Sequence, residues 1–155
     1  MKTSYVNLSN GVQRVETVGR LKLRLKAGKV ALIHKVQWLI YSRQFAAARE
    51  VVYLLLNRRQ DRVARTYGQE ASMWEEFENA DYIARHSLAS SQVTASGVMY
   101  SPQILEQDFK VPVEVASDIS AIAVGIGTTS NFTGACVVFY EVVDARGSRL
   151  LKAGS

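Results

Sequence analysis

Residues 20–41 read RLKLRLKAGKVALIHKVQWLIY, and the period of this stretch decides the fold class. Leu21, Leu23 and Leu25 alternate with Arg20, Lys22, Arg24 and Lys26. Successive strand side chains point to opposite sides, so this alternation makes one apolar and one cationic face. On a helix the same residues would scatter around the axis. Ala27-Gly28-Lys29 breaks the pattern as a short glycine-containing turn does. In the run that follows, Val30, Leu32, Val36, Trp38 and Ile40 share one face with His34. Ala31, Ile33, Lys35, Gln37, Leu39 and Tyr41 form the mixed opposite face, as in a strand covered by core on one side and partly by a neighbour on the other.

Working outward, period two recurs. EVVYLLLNRRQ (50–60) reads as a strand, DYIARHSLA (81–89) and QVTASGVMY (92–100) as weaker ones. In DFKVPVEV, Phe109, Val111, Val113 and Val115 are expected to face inward, with Lys110, Pro112 and Glu114 outward. Pro112 has no N–H to donate, so it belongs at an edge or where no ladder bond is needed. AIAVGIG (121–127) and ACVVFYEVVDA (135–145) supply the last two strands. The one credible helix is SMWEEFENA (72–80): Ser72 and Glu75 stand at capping-box spacing, and acids fill the first turn. About eight strands and one short loop helix predict an all-β, single jelly-roll β-sandwich. At 155 residues this is one domain, 1–155, with 1–12 and 146–155 as peripheral arms.

Charge is divided along the chain. Residues 1–65 hold 14 Lys and Arg against 3 acids, whereas residues 66–145 hold 2 against 11. A basic face for an anionic partner, or front-to-back attraction between identical subunits, follows from such polarity. The start, MKTSYVNLSNG, lacks the apolar stretch of a signal peptide, and no run of about 18 apolar residues is present to span a membrane.

A search for chemistry returns little. The two histidines, His34 and His86, stand 52 positions apart with no neighbouring ligand cluster, so no metal site and no cofactor is expected. His34 reads as a core or interface histidine. Cys136, the single cysteine, lies in an apolar run and reads as a small core residue. No serine lies in G-x-S-x-G, and the glycines of AVGIGTT lack the helix that a phosphate loop needs. The expectation is a protein that is not an enzyme and has no small-molecule substrate. For an anionic partner, either nucleic acid or an anionic surface such as an internal membrane, the candidate residues are Arg20, Lys22, Arg24, Lys26, Arg58 and Arg59. On a strand the first four would stand about 6.6 Å apart, near the separation of backbone phosphates. Candidate subunit-interface residues are Ile33, Leu39, Tyr41, Trp74 and Phe77, apolar or aromatic groups on the less protected faces.

The segments GKVALIHKVQWLIYSRQF and DFKVPVEVASDISAIAVGIGTTSNFTGACVVFYEVVDA, with EVVYLLL between them, resemble small single jelly-roll capsid proteins of tailless icosahedral viruses. The shared features are a short F-x-x-P strand, an apolar strand, and a turn with Asn leading into a long last strand ending near Y-E. The resemblance implies a virion subunit, made in the host cytoplasm, that self-assembles or co-assembles with a second coat protein. The basic early strands would then meet the acidic segment 70–81 of a neighbour. Residues 1–19 hold only Lys2 and Arg14 as cations, so no Arg-rich genome-binding arm is present there. Two further readings remain open: a β-sandwich module for a surface ligand or glycan, and a non-specific nucleic-acid-binding protein.

Overall fold

The computed structural model describes residues 1–9, 16–44, 51–58, 82–89, 98–99, 103–126 and 131–145. Among these residues nine strands follow in chain order. They are β1 (Lys2–Ser9), β2 (Glu16–Leu21), β3 (Lys29–Gln44), β4 (Val51–Asn57), β5 (Tyr82–Ala89), the two-residue β6 (Val98–Met99), β7 (Gln103–Val115), β8 (Ile119–Ile126) and β9 (Asn131–Asp144). No α-helix occurs among the described residues, and the helix expected at 72–80 lies outside them. The weaker strand expectation at 81–89 corresponds to β5; of the one at 92–100 only Val98 and Met99 are described, and they form β6.

The pairing is nested. The first strand pairs with the last, β2 with β8, β3 with β7 and β4 with β5, all antiparallel. Lateral pairing of β3 with β9 and of β4 with β8 completes two sheets, ordered β1-β9-β3-β7 (with β6 beside the end of β3) and β2-β8-β4-β5. A long hairpin rolled on itself produces this order, so the molecule is a jelly-roll sandwich.

The two inner faces share one core. Leu8, Ile33, Val36, Trp38, Ile40, Val115, Cys136 and Val138 come from the first sheet; Leu21, Leu54, Leu56, Ile119, Ala121 and Ala123 come from the second. Trp38 is fully buried and meets the His86 ring edge-on, 6.4 Å between centroids, linking the layers. Gly19 permits the close approach of β1 to β2: a Cβ there would stand 2.6 Å from Val6 and 2.9 Å from Leu8. Leu55 and Ile122 are buried as well as their neighbours Leu54 and Ala121, so at these positions β4 and β8 are covered on both faces. Residues 2–9, assigned above to a peripheral arm, form the edge strand β1, in which Ser4 and Leu8 are buried. Residues 146–155 lie outside the described set.

Three local expectations are corrected. The alternation of 20–26 does not make one strand, because pairing ends at Leu21. Arg24 takes a left-handed backbone conformation (φ 55°), which turns the chain. The side chains still alternate, with Leu21 and Leu23 buried and the four cations exposed. Side chains satisfy the backbone that left the ladder: Ser4 Oγ donates to the Lys22 carbonyl (2.8 Å), Tyr140 Oη donates to the Leu23 carbonyl (3.1 Å), and the Leu23 N–H donates to Asp118 (2.9 Å).

The faces of β3 exchange part-way along it. Ile33 opposes Tyr140 and Lys35 opposes Phe139, so His34 is an extra residue on β3, a β-bulge. Before the bulge Ala31 and Ile33 point inward; after it Val36, Trp38 and Ile40 do. Ile33, expected at a subunit interface, is therefore a fully buried core residue.

Opposite the same bulge, β7 makes a longer excursion: Val113 pairs with Ile33 and Asp108 with Lys35, leaving residues 109–112 without partners on β3. Pro112 falls in this gap, where its missing donor costs nothing. The excursion also overturns the inward expectation for Val111, which is 61% exposed, whereas Phe109, Val113 and Val115 do pack on or in the core.

Candidate interaction surfaces

The outer face of the first sheet can be read from its registers, because directly opposed residues share a side. One row runs Thr3, Phe139, Lys35, Asp108; the next runs Tyr5, Val137, Gln37, Glu106; the third runs Asn7, Ala135, Leu39, Ile104. Apolar groups (Tyr5, Val137, Phe139, Leu39, Ile104) are thus interleaved with polar ones. Gln37 Nε2 donates to Glu106 (2.7 Å), Lys35 pairs with the same carboxylate (3.0 Å), and the Lys35 ammonium lies 5.7 Å from the centre of the Phe139 ring. Hydrogen bonds from Gln37 and Lys35 hold the Glu106 carboxyl below its usual range, and the bond to Glu106 raises Lys35. At the bulge, His34 Nε2 lies 2.9 Å from Glu141 Oε1.

Of the residues expected at an interface, Leu39 is half-buried on this outer face. Tyr41 belongs to β3, but its side chain is not among those described. Trp74 and Phe77 lie outside the described residues, as does the acidic segment 70–81 except as sequence.

An open groove runs beside β1, lined by the strand's own residues 1–7 and by Arg20, Lys22, Leu23, Arg24 and Tyr140. The fold thus gathers Arg20, Lys22 and Arg24, and it adds Lys2 and the 71%-exposed Tyr5. Sequence spacing gave no sign of these two, because only the wrapping of β1 against the 20–24 segment unites them. Lys2, Lys22 and Arg24 make no ion pair among the described residues. The cations do not form an evenly spaced strand row, since pairing stops at Leu21. Lys26 is exposed at the turn, its carbonyl accepting from the Lys29 N–H, and does not line the groove. Arg58 is exposed and donates to the Glu114 carbonyl (2.7 Å), also away from it. Arg59 lies outside the described residues.

Asp118 organises the groove wall. One oxygen accepts from Arg20 Nε (3.0 Å) and Nη2 (2.8 Å), the other from the Leu23 N–H. Burial pushes this carboxyl upward, but the Leu23 N–H, the Arg20 guanidinium and the Arg24 N–H together outweigh it and hold it below the ordinary carboxylate range.

Reactive groups are placed elsewhere. Cys136 is buried, and burial raises its thiol far above the ordinary value, which keeps it protonated and unreactive. Burial lowers the pKa of His86. Its Nε2 and the Trp38 Nε1 are both buried without a hydrogen-bond partner among the described residues. Among the described residues no three His, Cys, Asp or Glu side chains converge as a metal site would require. Comparison of the sequence with protein-family models and with curated proteins finds no match.

Proposed function

We propose that the chain is a shell-forming subunit, a viral coat protein that assembles with copies of itself or with a second coat protein. The observation that carries this reading is the position of its exposed apolar groups. Among the described residues, the large apolar side chains left exposed are Met1, Tyr5, Ile104 and Val111. All four lie on, or next to, the two edge strands of one sheet. Scattered single apolar residues need no explanation, but a set confined to the margins of one sheet is what side-by-side association would use. The jelly-roll topology and the resemblance of the strand layout to small capsid proteins support the same reading.

The glycan-binding alternative loses one of its two tryptophans, because Trp38 is at the centre of the core. The nucleic-acid alternative keeps the basic groove in its favour. Electron microscopy of the full chain, expressed alone and with proteins encoded beside it, tests the proposal. Closed shells, or regular capsomer-like clusters, are expected. Isolated particles of single-subunit size at every concentration and in every combination would refute it.

A further inference from the structure

We infer that the groove beside β1 is a docking site for an extended acidic peptide, a segment of another protein in which acidic residues alternate with apolar ones. The backbone of that segment pairs with the free edge of β1, and its carboxylates meet Lys2, Lys22 and Arg24. The site is independent of the assembly proposed above.

Three observations meet there. First, among the described residues β1 pairs only with β9, in a register unbroken from Lys2 to Ser9. Its other side therefore offers backbone N–H and C=O groups without strand partners.

Second, three cations converge on one end of that edge. Ser4 Oγ holds the Lys22 carbonyl at 2.8 Å, and Tyr140, opposite Lys2 in the register, holds the Leu23 carbonyl at 3.1 Å. Segment 22–24 is thus fixed across the Lys2–Ser4 end of the strand, and Asp118 anchors it further by accepting from the Leu23 and Arg24 N–H groups. Burial raises the pKa of the Tyr140 hydroxyl and the charge of Arg24 opposes that rise, as a guanidinium close by would do. Lys2, Lys22 and Arg24 are exposed, line the groove, and make no ion pair among the described residues. Arg20 lines the groove too, but its guanidinium is engaged by Asp118.

Third, the two sides of β1 differ. Ser4 and Leu8 are buried, so Lys2, Ser4, Val6 and Leu8 share the core-facing side. Thr3, Tyr5 and Asn7 share the outer side, where Tyr5 is 71% exposed. Segment 22–24 lies on the core-facing side, since the Ser4 and Tyr140 side chains reach it. A strand added to β1 continues this alternation whichever way it runs. Every second side chain then points towards the three cations, and those between point outward beside Tyr5. Acidic residues suit the first set and apolar residues the second. A nucleic-acid strand would satisfy the cations but leave the backbone edge unused, and Tyr5 lies on the other side of β1 from Lys2. Lysines on an edge deter pairing with most strands, and an acidic strand turns that repulsion into selection.

Fluorescence anisotropy on the full chain tests this. The probe is a blocked, labelled octapeptide of alternating Glu and Val. Its controls are the same composition with all Glu grouped before all Val, the alternating peptide N-methylated along its backbone, and a short oligothymidylate. At low salt the alternating peptide should bind at least about tenfold more tightly than either peptide control, and Lys2→Gln with Lys22→Gln should weaken it about tenfold or more. Circular dichroism melts of the variant, matched to wild type, exclude misfolding.

An alternating peptide that does not bind, that binds no better than the grouped or N-methylated one, or that binds the variant equally well overturns the inference. So does oligothymidylate that binds more tightly than the peptide and displaces it, because the groove then belongs to nucleic acid. The peptide controls are read on the wild-type chain and decide the matter even if the variant folds poorly. None of these outcomes bears on whether subunits assemble, which electron microscopy reads separately.

Discussion

At the scale of single residues, Asp118 does more than its exposed partner Arg20 implies. It supplies acceptors for backbone N–H groups at the point where 22–24 has left the sheet, so its removal strands partly buried donors. Asp118→Ala is expected to cost about 2–3 kcal/mol of unfolding free energy, measured by urea denaturation. Arg20→Ala, which breaks the surface half of the arrangement, should cost under about 1 kcal/mol. His86 supplies a pH dependence. Its pKa is lowered in the folded state from an ordinary 6.5, so the unfolded chain takes up the proton first. Stability is therefore full above about pH 6.5 and declines as the pH falls below that value towards the folded pKa. His86→Phe should flatten this slope in denaturation series run at pH 5 and 7; an unaltered slope would assign it to other groups.

At the scale of elements, the decisive feature is the bulge at His34. It separates two interface expectations that sequence alone treated alike. Ile33→Ala removes a fully buried side chain and should cost about 2–5 kcal/mol, whereas Leu39→Ala on the half-buried outer face should cost much less and weaken association instead. Thermal melts beside sedimentation of the same two variants give the comparison. Gly19→Ala should also destabilise, by about 1–3 kcal/mol, since its Cβ has no room between Val6 and Leu8.

These cases show what the sequence made legible. Alternation excluded a helix in 20–41, although 22–28 is a link and not strand, and Pro112 announced its unpaired position, because both signals are local. The bulge was not legible: one extra residue is chosen by how β9 and β7 align with β3, and either parity of KVALIHKVQWLIY offers an apolar row. Val111 misled for the same reason, being apolar at the right spacing inside an excursion that only the partner strand reveals.

At the scale of the whole molecule, the nested order of strands brings cations of the early chain together at one groove. Lys2 and Arg24 are far apart in sequence, and they meet only because β1 lies against the strand-to-strand link 22–28. The candidate groove was therefore half visible: Arg20, Lys22 and Arg24 came from the sequence pattern, Lys2 and Tyr5 from the fold. Conversely Lys26 and Arg58, grouped with them by sequence, sit outside it. Association driven partly by attraction between opposite charges should weaken as salt shortens the reach of those charges, from about 30 Å at 0.01 M to about 3 Å at 1 M. Light scattering across that range measures it, with a residual apolar contribution expected from Tyr5 and Ile104.

We propose that this sandwich joins other subunits. Sedimentation equilibrium of the full chain over a hundredfold concentration range addresses it most directly. If it does, the weight-average mass climbs from one subunit towards large discrete assemblies, more steeply at low salt. A mass fixed at 17.2 kDa throughout, in low salt and high, would contradict it.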